Sequence, residues 1–266
     1  AAGVFILVHA LYKATLFLVA GILDHETGTR DVTRLRGLGR VMLPVAAAGM
    51  LAALSNAGVP PLLGFIGKDL IYEAALGMEQ GTVLLTGAAV LTKLLLVYAG
   101  FVAGVRPFFG ERPPEFAQVH GPELRLWLPP LLLALLCLLF GLFPGAVETY
   151  LARPTLEAVQ AGGYEGHLKL WHGFNLVLGL SALTIGLGTI GYLLVAPRTA
   201  YEQALARLEP LSPRALIGQL TMGAERMSRA WVGLVQRGYL RVYLLIVMGL
   251  DRKSTRLNSS HVCSSR

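Results

Sequence analysis

An all-α, polytopic transmembrane helical bundle is the fold this 266-residue chain predicts, on three observations. Hydrophobic residues make up 54% of it and charged residues only 15%, with a mean hydropathy of +0.59; a soluble domain of this length needs far less apolar surface. The apolar residues fall in runs of roughly 20, enough to cross about 30 Å of hydrocarbon, with polar connections between them. Lipid offers no partner to a backbone amide, so each run is expected to be helical.

Five crossings follow in order. The first runs from about Ala1 to Leu23. The second, Val41 to Gly77, is too long for one straight helix and is interrupted between Gly58 and Gly64, where Val59-Pro60-Pro61 removes two amide donors and forces the preceding residue out of helical geometry. Broken helices at membrane depth survive only where protein or water satisfies the freed backbone groups, and in transporters their half-helix ends present partial charges to an ion. A simple proline kink, or two short interfacial helices, is the plainer alternative. With the second half-helix starting near Phe65, Lys68 is expected in its first turn. The third crossing spans Thr82 to Val105, the fourth Leu124 to Phe143 and the fifth His172 to Ala196.

Arginine placement predicts orientation. Arg30, Arg34, Arg36 and Arg40 follow the first crossing, Arg106 and Arg112 the third, and Arg198 the fifth, all on one side of a five-crossing bundle. The opposite connections, Met78 to Gly81 and Pro144 to Trp171, carry only Arg153 and Lys169, so the arginine-rich side is placed in the cytoplasm.

From 199 to 238 the pattern becomes amphipathic: Tyr201, Leu205, Leu208, Leu216, Leu220, Met227, Trp231 and Leu234 recur at near-helical spacing among five arginines, with Pro210 and Pro213 splitting the stretch. An ordinary pair of cytoplasmic linker helices would look similar. Residues 239–250 begin another apolar run, expected to be a truncated transmembrane helix. Residues 251–266 open with Asp251-Arg-Lys-Ser-Thr-Arg-Leu-Asn-Ser-Ser-His261, which looks like in-frame translation of a sequencing adapter and is set aside from fold reasoning. Excluding it removes four of the 23 basic and one of the 16 acidic residues and lowers the net charge from +7 to +4. It also leaves Cys137 as the one cysteine, which allows neither a disulfide nor a cysteine metal site. The start at Ala1-Ala2-Gly3 enters mid-helix without a basic leader, so the chain reads as a fragment.

The chemistry-bearing groups sit inside the apolar runs. His9 and Lys13, four apart, share one helix face, and an imidazole and an amine at that separation can relay a proton through water. Lys68 follows the helix break with Asp69 beside it, and Lys93, a weaker candidate, sits in the middle of the third crossing. A charge at the bilayer centre costs about 2.5 to 3.5 kcal/mol on insertion scales, so each amine there needs a partner, water or a role. The proton-path candidates are therefore His9, Lys13, Lys68 and Lys93; Gly58, Pro60, Pro61 and Gly64 form the helix break, and Asp69 and His25 are accessory. The plainer readings are a core histidine bonded to a carbonyl and lysines that snorkel to the interface. Asp24, His25, Glu26 and Asp31 read first as a surface loop paired within itself.

No nucleophile elbow, phosphate loop, dinucleotide fingerprint or zinc-ligand spacing is present, so neither an enzyme nor a cofactor or metal site is expected. The basic residues lie between apolar spans without interleaved stacking aromatics, which argues against nucleic acid.

Six stretches carry a family resemblance: His9-Ala-Leu-Tyr-Lys-Ala14, Leu23-Asp-His-Glu-Thr-Gly-Thr-Arg-Asp31, Ala57-Gly-Val-Pro-Pro61 with Gly64-Phe-Ile-Gly-Lys-Asp69, Leu139-Phe-Gly-Leu-Phe-Pro-Gly145, Trp171-His-Gly-Phe-Asn175 and Gly238-Tyr-Leu-Arg-Val-Tyr243. Together they resemble the A-type subunit of the multisubunit Mrp-type Na+/H+ antiporters, over Ala1 to Leu250. The His-x-x-x-Lys-Ala and Pro-Pro-x-x-Gly-Phe-x-x-Lys-Asp pieces are shared with proton-pumping membrane subunits of respiratory complex I, whereas the loop after Leu23 and the stretch at Trp171 look specific to the Mrp branch. The resemblance implies that residues 1–198 are the second half of an antiporter-like module, that 199–238 is its lateral helix, and that the lysines are stations of a hydrated proton path. It further implies a multi-pass subunit of the inner (plasma) membrane, working with other antiporter subunits to exchange Na+ for H+. The alternatives are a complex I or hydrogenase pump subunit or a purely structural membrane scaffold.

Overall fold

The computed structural model of the chain describes residues 2–159, 168–170, 173–195, 212–235, 244–245 and 247–248. All regular structure among them is helical, and it falls in two units, 1–198 and 199–266.

Helix α1 (Ala2–Thr27) begins the first unit and runs four residues beyond the predicted crossing, because Asp24 to Thr27 contains no breaker and Gly28 is the first residue that can stop it. The Thr27 hydroxyl donates to the Leu23 carbonyl at 2.6 Å, which satisfies one of the last-turn acceptors. The second crossing is a broken helix, α2 (Leu43–Ala57) and α3 (Leu63–Leu76). At the usual 1.5 Å per residue α2 is roughly 22 Å long, so the break lies past the middle of a hydrocarbon layer of about 30 Å. Gly58 caps α2 in the left-handed region at φ +73°, where its amide donates to the Leu54 and Ser55 carbonyls.

Two expectations about this break need correcting. Gly64 is not part of it but lies in the first turn of α3, and the reason it is glycine is contact: a Cβ there would stand 1.7 Å from the Ser55 carbonyl oxygen of α2. Lys68 is not in the first turn either, because α3 starts at Leu63 rather than near Phe65; it falls in the second turn.

Three single helices complete the membrane-length set: α4 (Thr82–Gly104), α5 (Leu124–Leu142) and, after the short α6 (Pro144–Val147), a π-helical turn (Glu148–Ala152) and α7 (Arg153–Val159), helix α8 (Leu176–Val195). With α1 these are four helices long and apolar enough to cross a membrane, beside the broken pair. The predicted connection from Pro144 to Trp171 is thus helical as far as Val159; the buried carboxylate of Glu148 braces it internally by accepting from Arg153 at 3.1 Å and from the Leu168 amide at 2.9 Å. The predicted start of the last crossing at His172, like Trp171, lies outside the described residues.

Lipid is as apolar as a leucine side chain, so the bundle is held by close packing and buried polar contacts rather than by the hydrophobic effect between helices. Val4, Val8 and Tyr12 of α1 pack with Leu63 and Ile66 of α3 and Cys137 of α5. Val19 and Leu23 pack with Leu38, Val45 and Phe108, and Ala53, Ala57, Val97 and Phe101 form the α2–α4 contact, with Tyr192 of α8 against it. Exposed leucines such as Leu91, Leu95, Leu187 and Leu193 form the outward surface that a bilayer accommodates.

The second unit contributes α9 (Pro213–Val235), with Pro213 as its first residue, where a missing amide costs nothing. Its Leu216, Leu220, Met227 and Trp231 are all exposed. Arg229 pairs with Glu225 one turn away. The amphipathic residues at 201–208, the adapter-like tail and the motif at 238–243 lie outside the described residues.

Candidate functional site

The broken helix carries Lys68 and Asp69 in its second half. Cβ atoms on a helix tilt toward its N-terminus, so from the second turn of α3 the Lys68 side chain reaches back to the break. Its ammonium donates to the Gly58 carbonyl at 3.1 Å, with the Ser181 carbonyl of α8 at 3.5 Å, and it stands 5.4 Å from the Phe65 ring centroid. Lys68 is 0% exposed. It therefore meets the negative end of α2, a site that favours a cation, and not the positive end of α3 that a first-turn position would have offered.

Asp69, also buried, accepts a 2.5 Å hydrogen bond from the Ser181 hydroxyl. Ser181 thus touches both members of the Lys68-Asp69 pair, one through its carbonyl and one through its hydroxyl. One turn along each helix, the Tyr72 hydroxyl donates to Thr184 at 3.3 Å, extending a polar seam between α3 and α8. Ser181, Thr184 and Tyr72 are not among the residues the sequence predicts. The paired residues are 112 apart in the chain, and nothing local marks Ser181 or Thr184 among the apolar residues of α8.

Lys93 of α4, the weakest of the predicted stations, is only 4% exposed and lies 5.3 Å from the Phe5 ring centroid of α1. It is within electrostatic reach of both His9 and Lys68. His9 is half-buried and shares a 2.8 Å hydrogen bond with the buried Tyr12 hydroxyl. Lys13 is half-buried too and has no ion-pair partner among the described residues. On α2, Asn56 is 2% exposed; its amide donates to the Leu96 carbonyl at 2.6 Å while its oxygen has no protein partner.

His25 does not join this group. Sixteen residues along α1 from His9, it is about 24 Å away by helix rise. It is exposed and contacts Glu26. The neighbouring charges are paired, but not only within the loop: Arg30 pairs with Asp24 at 2.8 Å, whereas Arg34 reaches Glu115 of the connection after α4 at 2.6 Å. The Asp31 carboxylate accepts from the hydroxyl and amide of Thr33, which holds its pKa below the usual carboxylate value.

Ser181→Ala should expose how much this seam matters. A hydrogen bond to a buried carboxylate contributes about 1.5–3 kcal/mol, so the variant should lose thermal stability on that scale and Ser181→Thr should recover most of it. Equal melting temperatures for all three proteins would remove Ser181 from the site.

Residues 1–94 match the family described as NADH:quinone oxidoreductase/Mrp antiporter, TM. The A-type subunit of the Na+/H+ antiporter of Alkalihalophilus pseudofirmus is 28% identical over 263 residues, covering 91% of this chain and 32% of that protein. The A/B-type subunit of the probable K+/H+ antiporter of Rhizobium meliloti is 35% identical over 189 residues, 68% of this chain and 19% of that protein. Among solved structures, the Mrp complex from Dietzia sp. DQ12-45-1b matches with a TM-score of 0.70 and 29% identity, covering 97% of this chain and 28% of that one. An archaeal membrane-bound sulfane sulfur reductase shares the fold, with a TM-score of 0.59 at 21% identity. The chain spans about a third or less of the curated relatives it matches.

The four membrane-length helices and the broken pair make the chain a multi-pass membrane module, and its first 94 residues match the transmembrane family shared by NADH:quinone oxidoreductases and Mrp antiporters. Over nearly its whole length it is similar to part of the A-type subunit of Na+/H+ antiporters and to part of a solved Mrp complex.

Proposed function

We propose that this chain is part of a subunit of a multisubunit cation/proton antiporter and carries protons through the membrane interior by way of Lys68, Lys93 and the His9-Lys13 face of α1. The observation that carries the reading is that Lys68 and Lys93 are both buried among apolar helices, where a structural role alone would select uncharged residues. At the effective dielectric of about 20 suited to protein sites, neighbouring ammoniums repel appreciably, so protonating one favours release from the other. The Gly58 carbonyl accepts from the Lys68 ammonium, and Asp69 adjoins Lys68 in the chain. The unpartnered oxygen of Asn56 gives the interior between α2 and α4 an acceptor able to hold water.

Antiporter relatives favour cation exchange over a redox-driven pump, the reading that the shared family description would also allow. Their names differ in the cation, Na+ in one and K+ in the other, and the described residues hold no cluster of three His, Cys, Asp or Glu that would bind a metal ion. The other antiporter subunits are the partners of this reading, the cation and the proton are its transported ions, and 199–238 serves as the lateral helix.

Lys93→Ala in the full-length subunit tests it. Exchange measured as dissipation of a pH gradient in membrane vesicles should fall at least roughly tenfold, the loss expected when a positioned proton-transfer group is removed. An unaltered rate in a complex that assembles normally would end the proposal.

A further inference from the structure

We propose that the groove between residues 37–43 and 108–112, at the arginine-rich end of the first unit, seats the headgroup of an anionic phospholipid. It encloses about 740 Å³, in the range of small-molecule sites. Its rim is polar and its floor apolar. Arg40 and Arg112 line the rim, and Leu43, Ala46 and Met50 of α2 run down from it as one helical stripe toward the membrane interior. Leu43 is 68% exposed at the point where rim meets stripe.

Both walls are fixed. The amides of Gly37, Leu38 and Gly39 donate to the carbonyls of Phe109, Pro107 and Phe108 at 3.0–3.1 Å, which zips the loop after α1 to the loop after α4. Gly37 takes φ +66°, and a Cβ there would stand 2.5 Å from the Arg112 amide, so this approach requires glycine. Arg40 and Arg112 are exposed and have no ion pair among the described residues, unlike Arg30 and Arg34 at the same end. Glu111 is the one acidic residue in the lining, which leaves the groove net positive.

That combination selects an amphiphile. Free phosphate would use the arginines but not the stripe, and a soluble acidic peptide would leave the exposed Leu43 and the half-buried Met50 uncovered. An anionic phospholipid satisfies both, its phosphate on the guanidiniums and its acyl chain along α2, and basic pockets at helix ends are a known geometry for such headgroups. The proposal rests on the membrane placement of the chain and not on exchange activity.

The test uses the intact antiporter complex in detergent, with phosphatidylglycerol, phosphatidylcholine and inorganic phosphate as probes, and reads bound lipid by native mass spectrometry. Phosphatidylglycerol should bind, phosphatidylcholine should not displace it, and the double variant R40Q/R112Q should weaken binding by roughly thirtyfold. Leu43→Glu, at an exposed position, should weaken it as well by placing a negative charge at the rim. Undiminished binding in either variant, equal binding of phosphatidylcholine, or full competition by inorganic phosphate would overturn the proposal. So that it does not depend on variants that fold, a photoactivatable anionic lipid on the unmodified complex should label residues 37–50 or 108–112; labelling elsewhere only, for instance because a neighbouring subunit covers the groove, would overturn it equally.

Discussion

Replacing Lys68 by alanine in the full-length subunit should reduce proton-coupled exchange in vesicles to the background of membranes lacking the subunit. The ammonium is fully buried, bonded to the Gly58 carbonyl and adjacent to Asp69. Its loss removes a proton station and leaves a buried carboxylate with only its remaining partners, a change that in proteins generally costs about 3–5 kcal/mol. Part of the defect would therefore be poor assembly, and a second substitution separates the two. Lys68→Arg keeps a fixed positive charge but offers a group that does not deprotonate. If Lys68 only balances Asp69, the arginine variant should assemble and exchange normally; if Lys68 must take up and release a proton, it should assemble yet fail to exchange. Normal exchange by Lys68→Arg at normal complex yield would refute the relay, whatever the alanine variant does.

How much of this site can be read from the chain depends on the distance over which each feature is encoded. The break at Gly58-Val-Pro-Pro61 is local chemistry: prolines without amides and a glycine able to take positive φ mark it without reference to anything else. Lys68 and Lys93 stand out because an amine in an apolar run is conspicuous wherever its partner lies. Their relative weight is not legible in the same way. Lys93 gains importance only because Phe5 of α1 and the Lys68 region of α3 converge on it, which is a tertiary fact. Ser181 and Thr184 are illegible for the same reason: a serine or threonine in a transmembrane helix commonly bonds its own helix backbone, as Thr184 also does with Leu180. Only the apposition of α3 and α8 distinguishes them. Gly64 is conspicuous but misleading, because a glycine next to Pro-Pro looks like part of the turn, whereas its cause is a backbone nine residues back.

Gly64→Ala should accordingly be among the most damaging small substitutions in the chain. The added Cβ would lie 1.7 Å from the Ser55 oxygen and 2.5 Å from its carbonyl carbon, both backbone atoms of a packed helix that cannot rotate away. Overpacking usually costs about 1–3 kcal/mol, and a clash with backbone belongs at or above the upper end of that range. Relief requires α3 to move off α2, which withdraws Lys68 from the Gly58 carbonyl, so folding and exchange should fail together. Gly58→Ala is different in kind. There the near atoms are Cε, Cδ and Nζ of Lys68 at 2.8–3.0 Å, a flexible side chain that can swing aside, with a strained φ of +73° as the residual cost. It should leave more protein folded and yet disturb Lys68 directly. Gly21 and Gly87, in α1 and α4, would have nothing within 4 Å of an added Cβ. They serve as controls whose alanine variants should equal or slightly exceed the parent, since alanine is the better helix former by about 1 kcal/mol. Detergent-extracted complex yield and melting temperature check the series, and a Gly64→Ala protein as abundant and as heat-resistant as the Gly21→Ala control would show that α2 and α3 are not held in the contact on which the position of Lys68 depends.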